Sequence, residues 1–341
     1  MGDATTLSKA TEWLMRDAAT LHASAIDLQF ARHGFGIIIG SITPVCIATR
    51  ALLAAKPGSR PPPAVVAHLK EHATMDGWRY FNRHGDIPPD TDDLALVLHV
   101  LRAAGISPDE PWVAAPLNVL ARNRISSGMF PTWLVTSAEN RSTVDNAWAS
   151  RGNAVHPEVV ANIGHALLTI QQARWQEDIT AAAHWLAQDP VARLSGNHWY
   201  YGSGYAAWLI CNFLDAANAA GVLDGSNGLG GYRQQLLRGQ NDNGAWHLDR
   251  PPEARRILGR EMTTTVSNSV SETAWRVAAL RCTGLAADAP EIMAATAFIA
   301  DAQQADGGFA AEPFYETLSP TPYGSRTMTT SAVVHALASA G

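Results

Sequence analysis

The chain has 341 residues, 47% of them hydrophobic and only 16% charged, enough apolar material for a substantial core in one large or two ordinary domains. A formal net charge of −6 and the lack of any long basic run argue against nucleic acid as a partner. The amino terminus has no basic stretch followed by an apolar run, and the apolar segment 35–42 is too short to span a bilayer, so a cytoplasmic protein with no transmembrane segment is expected.

In chain order, helical periodicity appears over residues 11–31, 44–55, 64–74, 94–104, 108–121, 157–170, 177–187, 205–220, 232–237, 272–282, 290–303 and 330–340. That is about twelve helices, with strand signals nearly absent. Cys46, Cys211 and Cys282 fall in these apolar helical stretches without a CxxC pair, and read as buried thiols in a reducing compartment.

The helix over 94–104 is preceded by Pro88-Pro89-Asp90-Thr91-Asp92-Asp93. One Asp would serve as an N-cap and would suit the positive end of the helix dipole. Three carboxylates in four residues exceed that need. Like charges this close cannot all ionise cheaply, so at least one proton is expected to be held above its usual pKa. Facing an apolar cavity, such a proton could pass to a base as weak as an alkene.

The loops carry a repeat. Gln240-Asn241-Asp242-Asn243-Gly244-Ala245-Trp246 reads Q-x3-G-x-W, and Gln303-Gln304-Ala305-Asp306-Gly307-Gly308-Phe309 reads Q-x3-G-x-F. Arg124 to Phe130 keeps the Gly and the aromatic but begins with Arg. Looser Gly–aromatic echoes complete a set of about six units of roughly 55 residues, each followed by a helix rich in small residues.

Asp90-Thr91-Asp92-Asp93 resembles the DxDD acid motif of the class II terpene cyclases, the group of squalene–hopene cyclase and the copalyl diphosphate synthases. The repeated loops resemble the QW motifs of the same superfamily. The resemblance implies an all-α fold: a single (α/α)6 toroid over 1–341, six inner helices ringed by six outer ones, with the acidic motif opening the second inner helix. It implies that Asp92 is the acid, with Asp90 and Asp93 as its supports. Leu94 stands where the family usually has Thr. Most members pair two such barrels, whereas this chain is long enough for one, so the cavity lies within it or a homodimer closes the site.

Other candidates share the mouth of that toroid. His156 could hydrogen-bond an Asp, and Asn162 could form a polar wall. Trp78, Tyr80, Phe81, Trp133, Trp148, Trp199, Tyr200, Tyr201 and Tyr205 offer ring faces to a carbocation, with about half of them expected to serve packing only. Arg326, ahead of the last inner helix, is the candidate for a substrate diphosphate. No Asp-x-Cys zinc signature and no DDxxD magnesium cluster occurs. The reading is therefore a metal-free, protonation-initiated isomerase acting on an isoprenoid, with Mg²⁺ only as an optional aid in holding a diphosphate. The alternatives are an acid-catalysed hydratase or isomerase on another apolar substrate, and a toroid that binds lipid or protein without catalysis.

Overall fold

The structure is a computed structural model. It describes residues 2–18, 41–80, 88–138, 154–171, 173–196, 199–200, 202–223, 228–248, 256–257, 260–261, 266–314 and 324–338. Thirteen helices lie among these residues. Six of them form a closed inner ring, each packed on the next in chain order: Ile42–Ala55, Thr91–Ala104, Pro157–Ile170, Gly204–Ala219, Val270–Cys282 and Arg326–Ala338, the last returning to the first. Gly2–Ala18, Pro63–Glu71, Pro111–Asn123, Gln176–Ala187, Leu229–Leu237 and Pro290–Asp301 alternate with them as the outer helices. The toroid that the family resemblance implies is present.

The second inner helix illustrates why this sequence folds so. Asp90 caps its start by accepting from Asp93 N at 2.6 Å. Gly105, at φ +79, ends it in the left-handed conformation, with Ile106 N bonding back to Leu101 O. Between the caps Leu94 to Leu98 are all buried, because neighbours pack on both sides of an inner helix. A one-sided amphipathic stripe would not suit that position.

The repeated loops join consecutive outer helices. Gln240 donates its amide to Glu291 O, near the start of Pro290–Asp301, at 2.8 Å. Gln303 reaches Thr6 O in Gly2–Ala18 at 3.0 Å and so joins the last outer helix to the first. Arg124 substitutes for Gln by pairing with Asp178, in Gln176–Ala187, at 3.1 Å. The motif glycine is required by close approach: Gly244 sits at φ +84, and a Cβ there would lie 2.3 Å from Ala294 backbone atoms.

The helix starts expected at 44, 272 and 330 lie at Ile42, Val270 and Arg326, and a short helix, Pro190–Ser195, adds to the twelve. The first helix begins at Gly2 rather than at 11 and is described to Ala18; the rest of the expected 11–31 helix lies outside the described residues. Among the described residues, sheet is confined to two small pairs, Trp246–Leu248 against Val266–Ser269 and Arg256–Ile257 against Arg260–Glu261.

Candidate active site

The alternation of outer and inner helices brings the inner helix starts to one end of the barrel. Contacts between those starts follow from this. Thr43, second in its helix, donates its hydroxyl to Asp93 Oδ1. Glu272, near the start of the fifth inner helix, accepts from Gly204 N, the first residue of the fourth, at 3.0 Å.

The acidic motif is fixed by a short antiparallel pairing. Thr91 N donates to Thr132 O and Leu134 N to Pro89 O, both at 2.8 Å, and the Thr91 hydroxyl donates to Pro131 O at 2.6 Å. Held in this way, the three carboxyls diverge. Asp90 is the helix cap and is 6% exposed; Asp93 turns to Thr43 and is 2% exposed. Asp92 alone keeps appreciable accessible surface. Asn162 donates to its Oδ1 at 2.6 Å, and the Tyr200 phenol donates to its Oδ2.

Burial pushes the Asp92 carboxyl up to about 7, against the Asn162 hydrogen bond and the positive charge of Arg50, which favour ionisation. Burial raises Asp93 to about 7 as well, opposed by its Thr43 bond and helped by the charge of Asp92. Asp90 is raised well above the usual range by burial and then by Asp93. A proton is thus held, as the crowding of charges predicts, but desolvation is the larger cause.

Aromatic rings surround Asp92. Tyr200 meets Tyr205 edge-on at 4.6 Å between centroids and Phe314 at 5.3 Å. Tyr205 also contacts Trp275 at 4.8 Å, and Trp275 contacts Trp208 at 4.7 Å. The Tyr205 hydroxyl, Trp275 Nε1 and Asn162 Oδ1 are buried without hydrogen-bond partners. Such groups usually find one, and here they lie in the same nest of rings beside the acid.

The remaining expected site residues divide. His156 is buried, with Nδ1 2.7 Å from the Thr132 hydroxyl and 3.1 Å from Trp199 Nε1; it braces the strand that holds Thr91. Trp133 pairs its backbone with Asp90 and meets Trp199 edge-on at 5.7 Å, so both rings flank the motif. Trp78 donates to Leu69 O at 2.7 Å and packs on Trp112, towards the outer shell. Tyr80 is half-buried against the core. Arg326 pairs with Asp306 at 2.8 Å and lies over Trp13 of the first outer helix. Tyr201, Phe81 and Trp148 lie outside the described residues. Phe314, Trp208, Trp275 and Arg50 join the site without having been singled out from sequence.

No protein-family description matches the sequence, and no curated protein matches it. Solved structures do. The type II terpene cyclase MstE from Scytonema, in complex with geranylgeranyl dihydroxybenzoate, superposes with a TM-score of 0.63 at 14% identity, over 99% of this chain and 98% of that one. The ent-copalyl diphosphate synthase from Streptomyces platensis superposes with a TM-score of 0.60 at 18% identity, over 88% of this chain and 50% of that one. This chain has the fold of the class II terpene cyclases. A protein from Actinoplanes shares it as well, with a TM-score of 0.66 at 16% identity over 99% of both chains.

Within this terpene cyclase fold the acidic trio does not fit Mg²⁺. A hard cation needs ionised carboxylates with free oxygens. Both oxygens of Asp92 accept hydrogen bonds and Asp90 Oδ1 caps the helix; only Asp93 Oδ2 is buried without a partner, on a carboxyl that burial keeps protonated. Among the described residues one group could offer three metal ligands, His68, Glu71 and His72 at the end of an outer helix, where His68 Nε2 already lies 2.8 Å from the Ser41 hydroxyl. No helix among the described residues is long and apolar enough to cross a membrane.

Proposed function

We propose that the protein is a class II terpene cyclase-like enzyme in which one barrel, residues 1–341, holds the whole site. Asp92 gives its proton to a terminal alkene or epoxide of an isoprenoid. The resulting tertiary cation is attacked by the next double bond, forming a ring. Loss of a proton, or capture of water with loss of a proton, ends the reaction and restores the Asp92 carboxyl. No redox partner enters and no diphosphate leaves, so the net change is an isomerisation, or a hydration where water is captured. The observation that carries this reading is a carboxyl held protonated near neutral pH against a nest of ring faces.

Each neighbour has a role in that step. Asn162 and Tyr200, one at each oxygen, stabilise the carboxylate left behind. Tyr205 and Trp275 present rings to the migrating positive charge. The chemistry requires no metal or organic cofactor. The partner is an isoprenoid small molecule, in keeping with the isoprenoid-derived substrate named for MstE. The cytoplasm is the compartment that fits three free cysteines.

The test is to incubate purified protein with prenyl substrates of monoterpene to triterpene size, beside an Asp92→Asn control, and to analyse the products. Cyclised product from the wild type and none from the control is expected. Hydration or isomerisation of a non-isoprenoid alkene by the same acid would move the protein to the second reading. Binding without turnover across the panel would leave a lipid-binding toroid.

A further inference from the structure

Below the aromatic nest the barrel interior turns polar at a single level. Arg50, His99, His165 and Asn212 each lie eight residues past the first residue of their inner helix (Ile42, Thr91, Pro157 and Gly204), and His335 lies nine past Arg326. Asp92 and His99 share one helix seven residues apart, so this girdle sits about 10 Å beneath the acid at ~1.5 Å rise per residue.

The side chains meet across the lumen. The His99 and His165 rings are 4.7 Å apart, and Asn212 Nδ2 lies 3.1 Å from His165 Nδ1. His335 lies 4.8 Å from Trp208. Arg50 belongs to the first inner helix and Trp208 to the fourth, which stands opposite in a ring of six; the guanidinium nevertheless lies 4.9 Å from the Trp208 ring centre. Arg50 therefore points into the barrel and meets Trp208 from the opposite wall.

This is an expensive arrangement without a ligand. No carboxylate among the described residues forms an ion pair with Arg50, and its Nη1 is buried without a hydrogen-bond partner, as is His99 Nε2. Burial and the Arg50 charge hold His165 and His335 down at about 3 and His99 well below its usual range, so the three rings are neutral with one N–H each; that of His99 goes to the Asn162 backbone carbonyl, while His165, whose Nδ1 accepts from Asn212, has its Nε2–H to donate. A guanidinium with no ion-pair partner among the described residues is also a poor neighbour for a carbocation formed ~10 Å away.

Resting on the cyclase reading above, we infer that the girdle of Arg50, His99, His165, Asn212 and His335 binds the anionic head group of the substrate, and that this head group is a single carboxylate. One fixed positive charge with neutral donors around it matches one negative charge. A diphosphate would bring several charges into the same buried level against a single guanidinium, leaving most of them unpaired. The substrate then enters head first, with its terminal alkene left at Asp92. An isoprene repeat of four bonds spans roughly 5 Å at C–C lengths near 1.5 Å, so about two units reach from girdle to acid when extended. A longer tail fits only when folded.

The test measures binding rather than turnover. Geranic and farnesoic acids, the matching alcohols and the matching diphosphates are titrated into the Asp92→Asn protein, with tryptophan fluorescence and calorimetry as readouts. Each acid should bind about tenfold or more tightly than its alcohol, as a charge-assisted bond requires, and more tightly than its diphosphate. Arg50→Gln should bring the ratio of acid to alcohol affinity to about one, while Arg50→Lys should retain part of the preference. The ranking of ligands on the Arg50-containing protein decides the matter even if neither Arg50 variant folds. Equal binding of acid and alcohol, tightest binding of the diphosphate, or no detectable binding of either acid would overturn the inference. A preference for acid in a protein that cyclises nothing keeps the girdle and removes the cyclase. Cyclisation without that preference does the reverse.

Discussion

Asn162 donates its side-chain amide to Oδ1 of Asp92 at 2.6 Å, across the gap between two neighbouring inner helices. The bond favours the ionised carboxyl and so makes Asp92 a stronger acid than burial alone would leave it. Asn162→Leu should raise the Asp92 pKa and slow protonation at saturating substrate by about 10²-fold, at the lower end for general acid catalysis. The descending limb of the pH–rate profile should move to higher pH. An unshifted limb would mean that the limb belongs to another group.

The three carboxyls should separate by function when each is replaced. Asp92→Asn removes the donor and should cost about 10²–10⁴-fold in turnover with the fold intact, as judged by circular dichroism and product yield. Asp90→Ala removes the cap on Asp93 N and should cost about 1 kcal/mol of stability. Asp93→Asn should slow the reaction less than Asp92→Asn, because Asp93 faces Thr43 rather than the ring nest. Equal activity in all three variants would reduce the motif to a helix start.

pH provides an independent check. Asp92 and Asp93 titrate near 7 when folded and near 3.8 when unfolded, so between those values the native state binds the extra protons. The associated stability is fully present below about pH 4 and is lost as pH rises to about 7, at up to about 1.4 kcal/mol per pH unit for one such proton. Denaturant unfolding of wild type and Asp92→Asn from pH 4 to 8 should show a shallower decline in the variant. Turnover should fall above about pH 7, as the protonated acid is depleted.

The repeated loops make a prediction about glycine. Gly244 and Gly105 both have positive φ, but a Cβ on Gly105 meets nothing within 4 Å, whereas one on Gly244 lies 2.3 Å from Ala294 backbone atoms. Gly105→Ala should cost about 1 kcal/mol for the backbone conformation alone. Gly244→Ala should cost about 2 kcal/mol or more beyond that, since the outer helix must shift. Chemical denaturation of the two variants gives the difference directly.

What could be read from sequence follows from how locally each signal is written. The acidic cluster at a helix start was legible because its cap, its carboxyls and its apolar run are adjacent in the chain. The helical repeat was legible because the loop glycine and the Gln at fixed spacing perform one mechanical task at several joints, and the resemblance of those loops to QW motifs implied the toroid. The polar girdle was not, since Arg50, His99, His165, Asn212 and His335 are single polar residues in separate apolar runs. Only aligning the inner helices on their starts reveals a common level. Arg326 was placed at the mouth because it lies just ahead of the last inner helix expected at 330–340. Its guanidinium instead goes to Asp306, supplied by the Gln303–Phe309 loop. Position along a helix does not say which carboxylate a flexible side chain will meet.

The Gln303 to Thr6 bond has a consequence for how the molecule comes apart. An open stack of helical hairpins frays from its terminal repeats, which need polar caps. Once the last outer helix is clasped to the first, no repeat is terminal. Opening any one hairpin breaks two interfaces rather than one, and the circle resists until it yields as a whole. A single sharp unfolding transition, blurred into stages when Gln303 is replaced by Ala, is the signature of that closure.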